Sequence, residues 1–131
     1  MSGKLLVSDI MTNEIKSIYY YETIKSAAGK MVNGNVSFLL VTDEKDNQIG
    51  VITRKDVAFR VVRKAKNPED ILVSSIMSSP IATVNENVSV IDFARILGKK
   101  KYRRMLVEKN GKLVGIASIS DIIKAVANDK I

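Results

Sequence analysis

The chain of 131 residues has no cysteine, no histidine and no tryptophan, and it holds only two prolines and 5% aromatic residues. Without cysteine there is no disulfide framework and no thiol nucleophile; without histidine the commonest general base and metal ligand is missing. Zinc chemistry and ordinary hydrolysis are disfavoured on that ground. No apolar run approaches the roughly 18 residues that span a bilayer, and the opening Met1-Ser2-Gly3-Lys4 lacks the apolar stretch of a signal peptide. The expected location is cytoplasmic, with no membrane partner. What the chain does have is 46% hydrophobic residues, the proportion of one compact domain rather than a disordered segment. Its 21 Lys and Arg outnumber 14 Asp and Glu, giving a net charge of +7. That balance favours anionic partners such as nucleotides, nucleic acid or an acidic protein surface, and equally fits a solvated lysine-rich exterior.

The sequence also repeats itself. Val7-Ser8-Asp9-Ile10-Met11-Thr12 returns as Val73-Ser74-Ser75-Ile76-Met77-Ser78, and Gly50-Val51-Ile52-Thr53-Arg54-Lys55-Asp56 returns as Gly115-Ile116-Ala117-Ser118-Ile119-Ser120-Asp121. The first pair lies 66 positions apart and the second 65, so the halves match end to end with one residue gained in a loop. This is a tandem duplication. A copy of roughly 55 to 65 residues buries a poor core alone, so the copies are expected to pack on each other about a pseudo-twofold axis, with function where they meet.

Each copy reads as β-α-β-β-α. In the first, Ile15 to Ile18 is a short strand and Thr23 stands at a helix N-cap position. Ile24, Ala27, Ala28, Met31 and Val32 then form one helical stripe, ended by Asn33-Gly34-Asn35. Val36 to Thr42 and Gln48 to Thr53 flank the polar loop Asp43 to Asn47 as an antiparallel hairpin. That loop is too short for a calcium loop. A second helix carries Val57, Phe59, Val61 and Val62. The second copy follows with a strand at Ile81 to Val84 and a helix striped by Val90, Phe93, Ala94 and Leu97. Arg104 to Glu108, a tight Asn110-Gly111 turn and Leu113 to Ala117 make its hairpin, and the last helix begins near Asp121. The polar, proline-bearing stretch from Ala65 sets the division: residues 1–64 as the first repeat, 65–72 as linker, 73–131 as the second.

At the end of each hairpin a hydroxyl precedes a carboxylate by three residues: Thr53 and Asp56, Ser118 and Asp121. One reading is structural, a capping box in which each hydroxyl caps a helix and each Asp complements its dipole. The other is a nucleoside phosphate site, the helix N-terminus favouring an anion and the carboxylate accepting from two vicinal hydroxyls. The run Lys99-Lys100-Lys101-Tyr102-Arg103-Arg104 has no counterpart in Gly34-Asn35-Val36-Ser37-Phe38, so the copies differ most in capacity for phosphate. Arg103 and Arg104 suit a forked phosphate contact, while the lysines also read as a charge cap on a helix end.

These motifs, in order and twice over nearly the whole chain, resemble a tandem of cystathionine β-synthase (CBS) domains, a Bateman module. The resemblance implies an α/β (α+β) fold of two β-α-β-β-α CBS repeats packed through their sheets with pseudo-twofold symmetry, often dimerised. It implies a regulatory rather than catalytic role, with AMP, ADP, ATP or S-adenosylmethionine held as a ligand and no cofactor or metal. Carried onto this sequence, one cleft holds Asn13, Ile15, Ile18, Val36, Ser37, Arg104, Ser118, Ser120 and Asp121. The other holds Thr53, Lys55, Asp56, Ser79, Ile81, Val84, Tyr102 and Arg103. The Asp would hold ribose, the hydroxyls and basic residues phosphate, and apolar side chains the adenine. Leu40 and Leu106 depart from a common proline, and Phe38 stands where small residues are usual. The expected partners are an adenine nucleotide, a second copy of the chain and a regulated protein. The alternatives are nucleic-acid binding through the basic surface and a ligand-free dimeric adaptor. An enzyme is not expected, since Asp56 and Asp121 stand one per copy without a second carboxylate, His or Cys.

Overall fold

The computed structural model describes residues 5–79 and 81–131, so the reading made of residues 1–4 lies outside it. In chain order the elements are α1 (Val7–Ile10), β1 (Ser17–Tyr19), α2 (Ile24–Gly34), β2 (Phe38–Thr42), β3 (Gln48–Thr53) and α3 (Arg54–Val57). A π-helical turn (Ala58–Val62) and a 3-10 turn (Val73–Ser75) follow, then β4 (Thr83–Asn85), α4 (Val90–Lys100), β5 (Arg104–Lys109), β6 (Lys112–Ser118) and α5 (Ile119–Ala127). The chain forms two compact units: Lys16–Ile81, and Met1–Ile15 together with Ala82–Ile131.

The unit Lys16–Ile81 holds a sheet of order β1-β2-β3, with β1 parallel and β3 antiparallel to β2. The crossover helix α2 makes the parallel pairing possible. Thr23 caps it by accepting from the Ser26 N–H at 3.2 Å, and Asn35, left-handed at φ 50°, ends it. The Val36 N–H bonds the Met31 carbonyl at 3.0 Å to close the helix end, which is why β2 starts at Phe38 and not at Val36. Ile24, Ala27 and Met31 are buried as their spacing predicts, but Val32 is 78% exposed, so the apolar stripe is narrower than the sequence reads. The core combines these with Ile18, Leu39, Val41, Ile52, Val61, Val73 and Ile76.

The other unit repeats the plan with β4-β5-β6. Ser89 caps α4 by accepting from the Asp92 N–H, Lys101 closes it at φ 59°, and Val90, Phe93 and Leu97 point inward while Ala94 is exposed. Phe93, Leu97, Val84, Met105, Val107 and Ala117 form its core with Val7. The strands expected at Ile15 to Ile18 and Ile81 to Val84 pair only over Ser17–Tyr19 and Thr83–Asn85.

Both hairpins obey their turn residues. Lys109 pairs with Lys112 around Asn110 (φ 52°) and Gly111 (φ 81°), the two-residue turn with both centres left-handed that Asn-Gly predicts. In the longer loop the Asp43 carboxylate accepts from Asn47 Nδ2 and from the Asn47 and Lys45 N–H groups, each at 2.9 Å. Those bonds, the Asn47 side chain foremost, hold Asp43 below the usual carboxylate range. The carboxylate is spent on its own loop.

The segments ahead of β1 and β4 decide how the repeats are assembled. Thr12 and Ile116 exchange both backbone bonds, at 2.8 and 2.9 Å, and Val51 and Ser78 do the same at 3.0 and 2.8 Å. The Val-Ser-Asp-Ile-Met-Thr segment of the first copy thus docks on the last strand of the second copy, and the Val-Ser-Ser-Ile-Met-Ser segment docks on the last strand of the first. Each docking passes over a glycine. A Cβ on Gly115 would lie 2.6 Å from the Thr12 carbonyl and 2.8 Å from Met11 Sδ; one on Gly50 would lie 2.8 Å from the Ser78 carbonyl and 3.0 Å from Met77 Sδ. Gly50→Ala and Gly115→Ala are each expected to lower stability by about 1–3 kcal/mol, because backbone must move. Gly98→Ala, whose Cβ meets nothing within 4 Å inside α4, is expected to raise it by about 0.5–1 kcal/mol. Urea denaturation of the three variants checks the contrast.

Candidate functional site

The strands on which the lead segments dock run on to the hydroxyl–carboxylate corners. Two residues beyond Val51 on β3 stands Thr53, and two beyond Ile116 on β6 stands Ser118. Each begins a helix. The Thr53 hydroxyl accepts from the Asp56 N–H at 3.2 Å, while Asp56 Oδ2 accepts from the Thr53 N–H at 2.9 Å and from its hydroxyl at 3.0 Å. Ser118 and Asp121 reproduce this with 3.3, 2.8 and 3.0 Å. Both corners are therefore reciprocal capping boxes, as the structural reading of the sequence has it. In both, Oδ2 carries the internal bonds, so a further hydroxyl would have to use Oδ1.

A second tie fixes each corner to its hairpin. The first helical amides, those of Arg54 and Ile119, donate to the carbonyls of Ser37 and Arg103 at 3.0 and 2.9 Å. Opposite the capping hydroxyls in the ladder the copies differ: Phe38 pairs with Thr53, and Arg104 pairs with Ser118. Phe38 is 7% exposed, an apolar side chain at the place where the second copy sets the half-buried residue Arg104.

The sequence-named residues distribute over the units as follows. Asn13, Ile15, Arg104, Ser118, Ser120 and Asp121 belong to one unit, and the antiparallel Thr12–Ile116 bridge sets Asn13 beside the strand that leads to Ser118, on its Gly115 side. Thr53, Lys55, Asp56, Ser79 and Ile81 belong to the other, with Ser79 following the Val51–Ser78 bridge in the same way. Ile18, Val36 and Ser37 of the first group, and Val84, Tyr102 and Arg103 of the second, each lie in the unit opposite to the rest of their group. Ile18 and Val84 are buried members of their own cores. Lys55, Ser79, Tyr102, Arg103 and Ser120 are exposed.

The CBS domain model matches residues 7–63 and again residues 73–128. The chain belongs to the CBS-domain family. An uncharacterised protein of Methanopyrus kandleri is 36% identical over 104 residues, 79% of this CBS chain, which spans only 53% of that relative's length. A conserved protein of Pyrococcus horikoshii has a solved structure with a TM-score of 0.88 at 28% identity, covering 96% of this chain and 95% of that one. A hexameric CBS-CP12 protein from bloom-forming cyanobacteria superposes with a TM-score of 0.83 at 28% identity, over 92% of this chain and 67% of its own. The two-repeat architecture is that of a CBS pair.

Two features of this CBS pair were not readable from the motifs. One is Arg60, whose Nη1 lies 3.8 Å from Asp56 Oδ1. No local spacing in the sequence marks it. The other is an open apolar groove of about 330 Å³ on the unit Lys16–Ile81, lined by Ala28, Met31, Val32, Arg54, Val57, Ala58 and Val62. Among the described residues no helix is long and apolar enough to cross a membrane, and no group of three or more Asp or Glu could hold a metal ion. Removing either cap, by Thr53→Ala or Ser118→Ala, is expected to cost about 1 kcal/mol in thermal unfolding without changing the far-UV spectrum of the folded protein.

Proposed function

We propose that this CBS pair is a regulatory adenine-nucleotide sensor with no chemistry of its own, signalling to a partner protein in the cytoplasm. The observation that carries the reading is the duplicated corner: one carboxylate per copy, fixed through Oδ2 by its capping box and able to offer Oδ1 to a ribose hydroxyl. In this reading Asp121 and Asp56 hold ribose. Ser118, Ser120 and Arg104 hold phosphate at the first site; Thr53, Lys55 and Arg103 do so at the second. Ile15, Ile18 and Val36, and Ile81, Val84 and Tyr102, supply the apolar and aromatic surface for adenine in the groupings that family resemblance implies. AMP, ADP, ATP and S-adenosylmethionine all share the adenosine that these groups address. Ligand regulates only if it binds two shapes of the protein with different affinity, and a partner or a second copy of the chain then reads the shift. A self-associated form accords with the hexameric relative.

A second reading has one observation behind it: Lys99, Lys100, Lys101, Tyr102 and Arg103 are exposed in succession from the end of α4 to the start of β5. Nucleic acid bound there would show a steep loss of affinity with salt, whereas a single nucleotide would not.

Calorimetric titration with AMP, ADP, ATP and S-adenosylmethionine, with GMP as control, is expected to give adenine-selective binding with a dissociation constant of roughly 1–100 μM. Asp121→Ala should weaken it about tenfold or more by removing a charge-assisted bond. Unchanged affinity in both Asp121→Ala and Asp56→Ala would dismiss the proposal.

A further inference from the structure

The two corners are built alike but have different neighbours. After α3 the helix widens into the π turn Ala58–Val62, where the Arg63 N–H reaches back to the Ala58 carbonyl at 2.8 Å. A π turn fits one extra residue into a helix and re-aims the side chains beyond it. Here it buries Val61 completely and leaves Arg60 half-exposed, with Nη1 donating to the Ile76 carbonyl. The second copy ends in a regular helix. By the repeat offset, Arg60 corresponds to Ala125, which is buried, and Val61 to Val126, which is 49% exposed. The extra residue therefore turns a core position into a surface cation.

That cation faces the candidate ribose acceptor. Asp56 Oδ2 is engaged by Thr53, and Oδ1 is 3.8 Å from Arg60 Nη1, with the Asp56 side chain 14% exposed. The Ile76 carbonyl tethers the guanidinium, so it is held in place and not merely passing. Asp121 has the same Oδ2 bonds, and the residue four beyond it, matching Arg60 by the repeat offset, is the buried Ala125. A diol needs the negative charge on Oδ1 to accept its protons, and Arg60, at 3.8 Å an ion-pair neighbour and not a hydrogen-bond donor to it, offsets that charge in the Asp56 corner.

We propose that Arg60 is a specificity-determining residue that makes the Thr53–Asp56 corner the weaker receptor for a ribose diol, leaving Ser118–Asp121 as the tighter site of an unequal pair. The inference rests on the nucleotide reading of both corners. Because Arg60 is partly solvated, its competition should be modest, about three- to tenfold in affinity.

The test uses the full chain carrying Asp121→Asn, which keeps a capping side chain but silences the tighter corner. Adenosine and 2′-deoxyadenosine are titrated into this protein and into the same protein with Arg60→Gln, Arg60→Met or Arg60→Lys. Neither ligand has a phosphate, so attraction of Arg60 for phosphate does not enter. The expected result is three- to tenfold tighter adenosine binding with Gln and with Met, little change with Lys, and 2′-deoxyadenosine unaffected throughout. An arginine that merely braces Ile76 would instead move both nucleosides together, and that result overturns the proposal. So does unchanged or weaker adenosine binding in both uncharged variants. If adenosine binds the wild type and is weakened by Asp121→Asn, yet ignores Arg60, only the role of Arg60 falls. If the wild type binds no adenine nucleoside or nucleotide, the functional reading falls with it.

Discussion

The architecture depends on two short backbone crossings, Thr12 with Ile116 and Val51 with Ser78, each laid flush over a glycine. A chain that passes within van der Waals reach of another's Cα leaves no room for a Cβ, so Gly115 and Gly50 are steric requirements and not turn residues. Once the crossings form, the lead segments deliver their buried side chains. Val7 enters the core of β4, α4, β5 and β6, and Val73 and Ile76 enter that of β1, α2, β2 and β3. Burying a valine or isoleucine contributes about 1.5–3 kcal/mol, which is appreciable for a unit of this size. The exchange also explains why the unit holding β4 to β6 is discontinuous in sequence while the unit holding β1 to β3 is not.

The same crossings position the candidate site. They hold Asn13 and Ser79 beside the strands that end in Ser118 and Thr53, and the capping boxes then fix each Asp with two bonds to its carboxylate and one from its backbone N–H. Duplication would make the two corners identical, and two local departures prevent it. Phe38 replaces the guanidinium of Arg104 across the ladder, and the π turn brings Arg60 to the carboxylate of Asp56. The Thr53 corner thus has Phe38 where the Ser118 corner has Arg104, and a guanidinium 3.8 Å from its carboxylate.

What the sequence discloses is what nearest neighbours along the chain decide. Thr23 caps α2, Asn35 ends it, Asn110-Gly111 turns the second hairpin, and the Thr53–Asp56 and Ser118–Asp121 spacings make capping boxes. Each of these is a contact across a few residues with a fixed geometric consequence. The repeat itself is equally plain. What stays hidden is set at long range. Nothing in Val-Ser-Asp-Ile-Met-Thr says which copy it will dock on, because the docking is a backbone exchange that any side chain but one facing the glycine tolerates. The π turn is hidden for a related reason: it leaves Val61 buried and Arg60 at the surface, an outcome that no local spacing expresses. Val32 fits the helical stripe yet stays exposed, since the stripe says which face is apolar and not how wide the covering surface is.

The exchange of lead segments is best tested by amide hydrogen exchange on the intact chain. Thr12 and Ser78 both have exposed side chains, so slow exchange at their amides has to come from the backbone bonds to Ile116 and Val51. The account predicts that the amides of Thr12, Ile116, Val51 and Ser78 are protected as a group and exchange only with opening of their units. Exchange at Thr12 and Ser78 at the rate of a fully solvated amide, with Ile116 and Val51 equally unprotected, would show that the lead segments are not docked and contradict the assembly on which the rest stands.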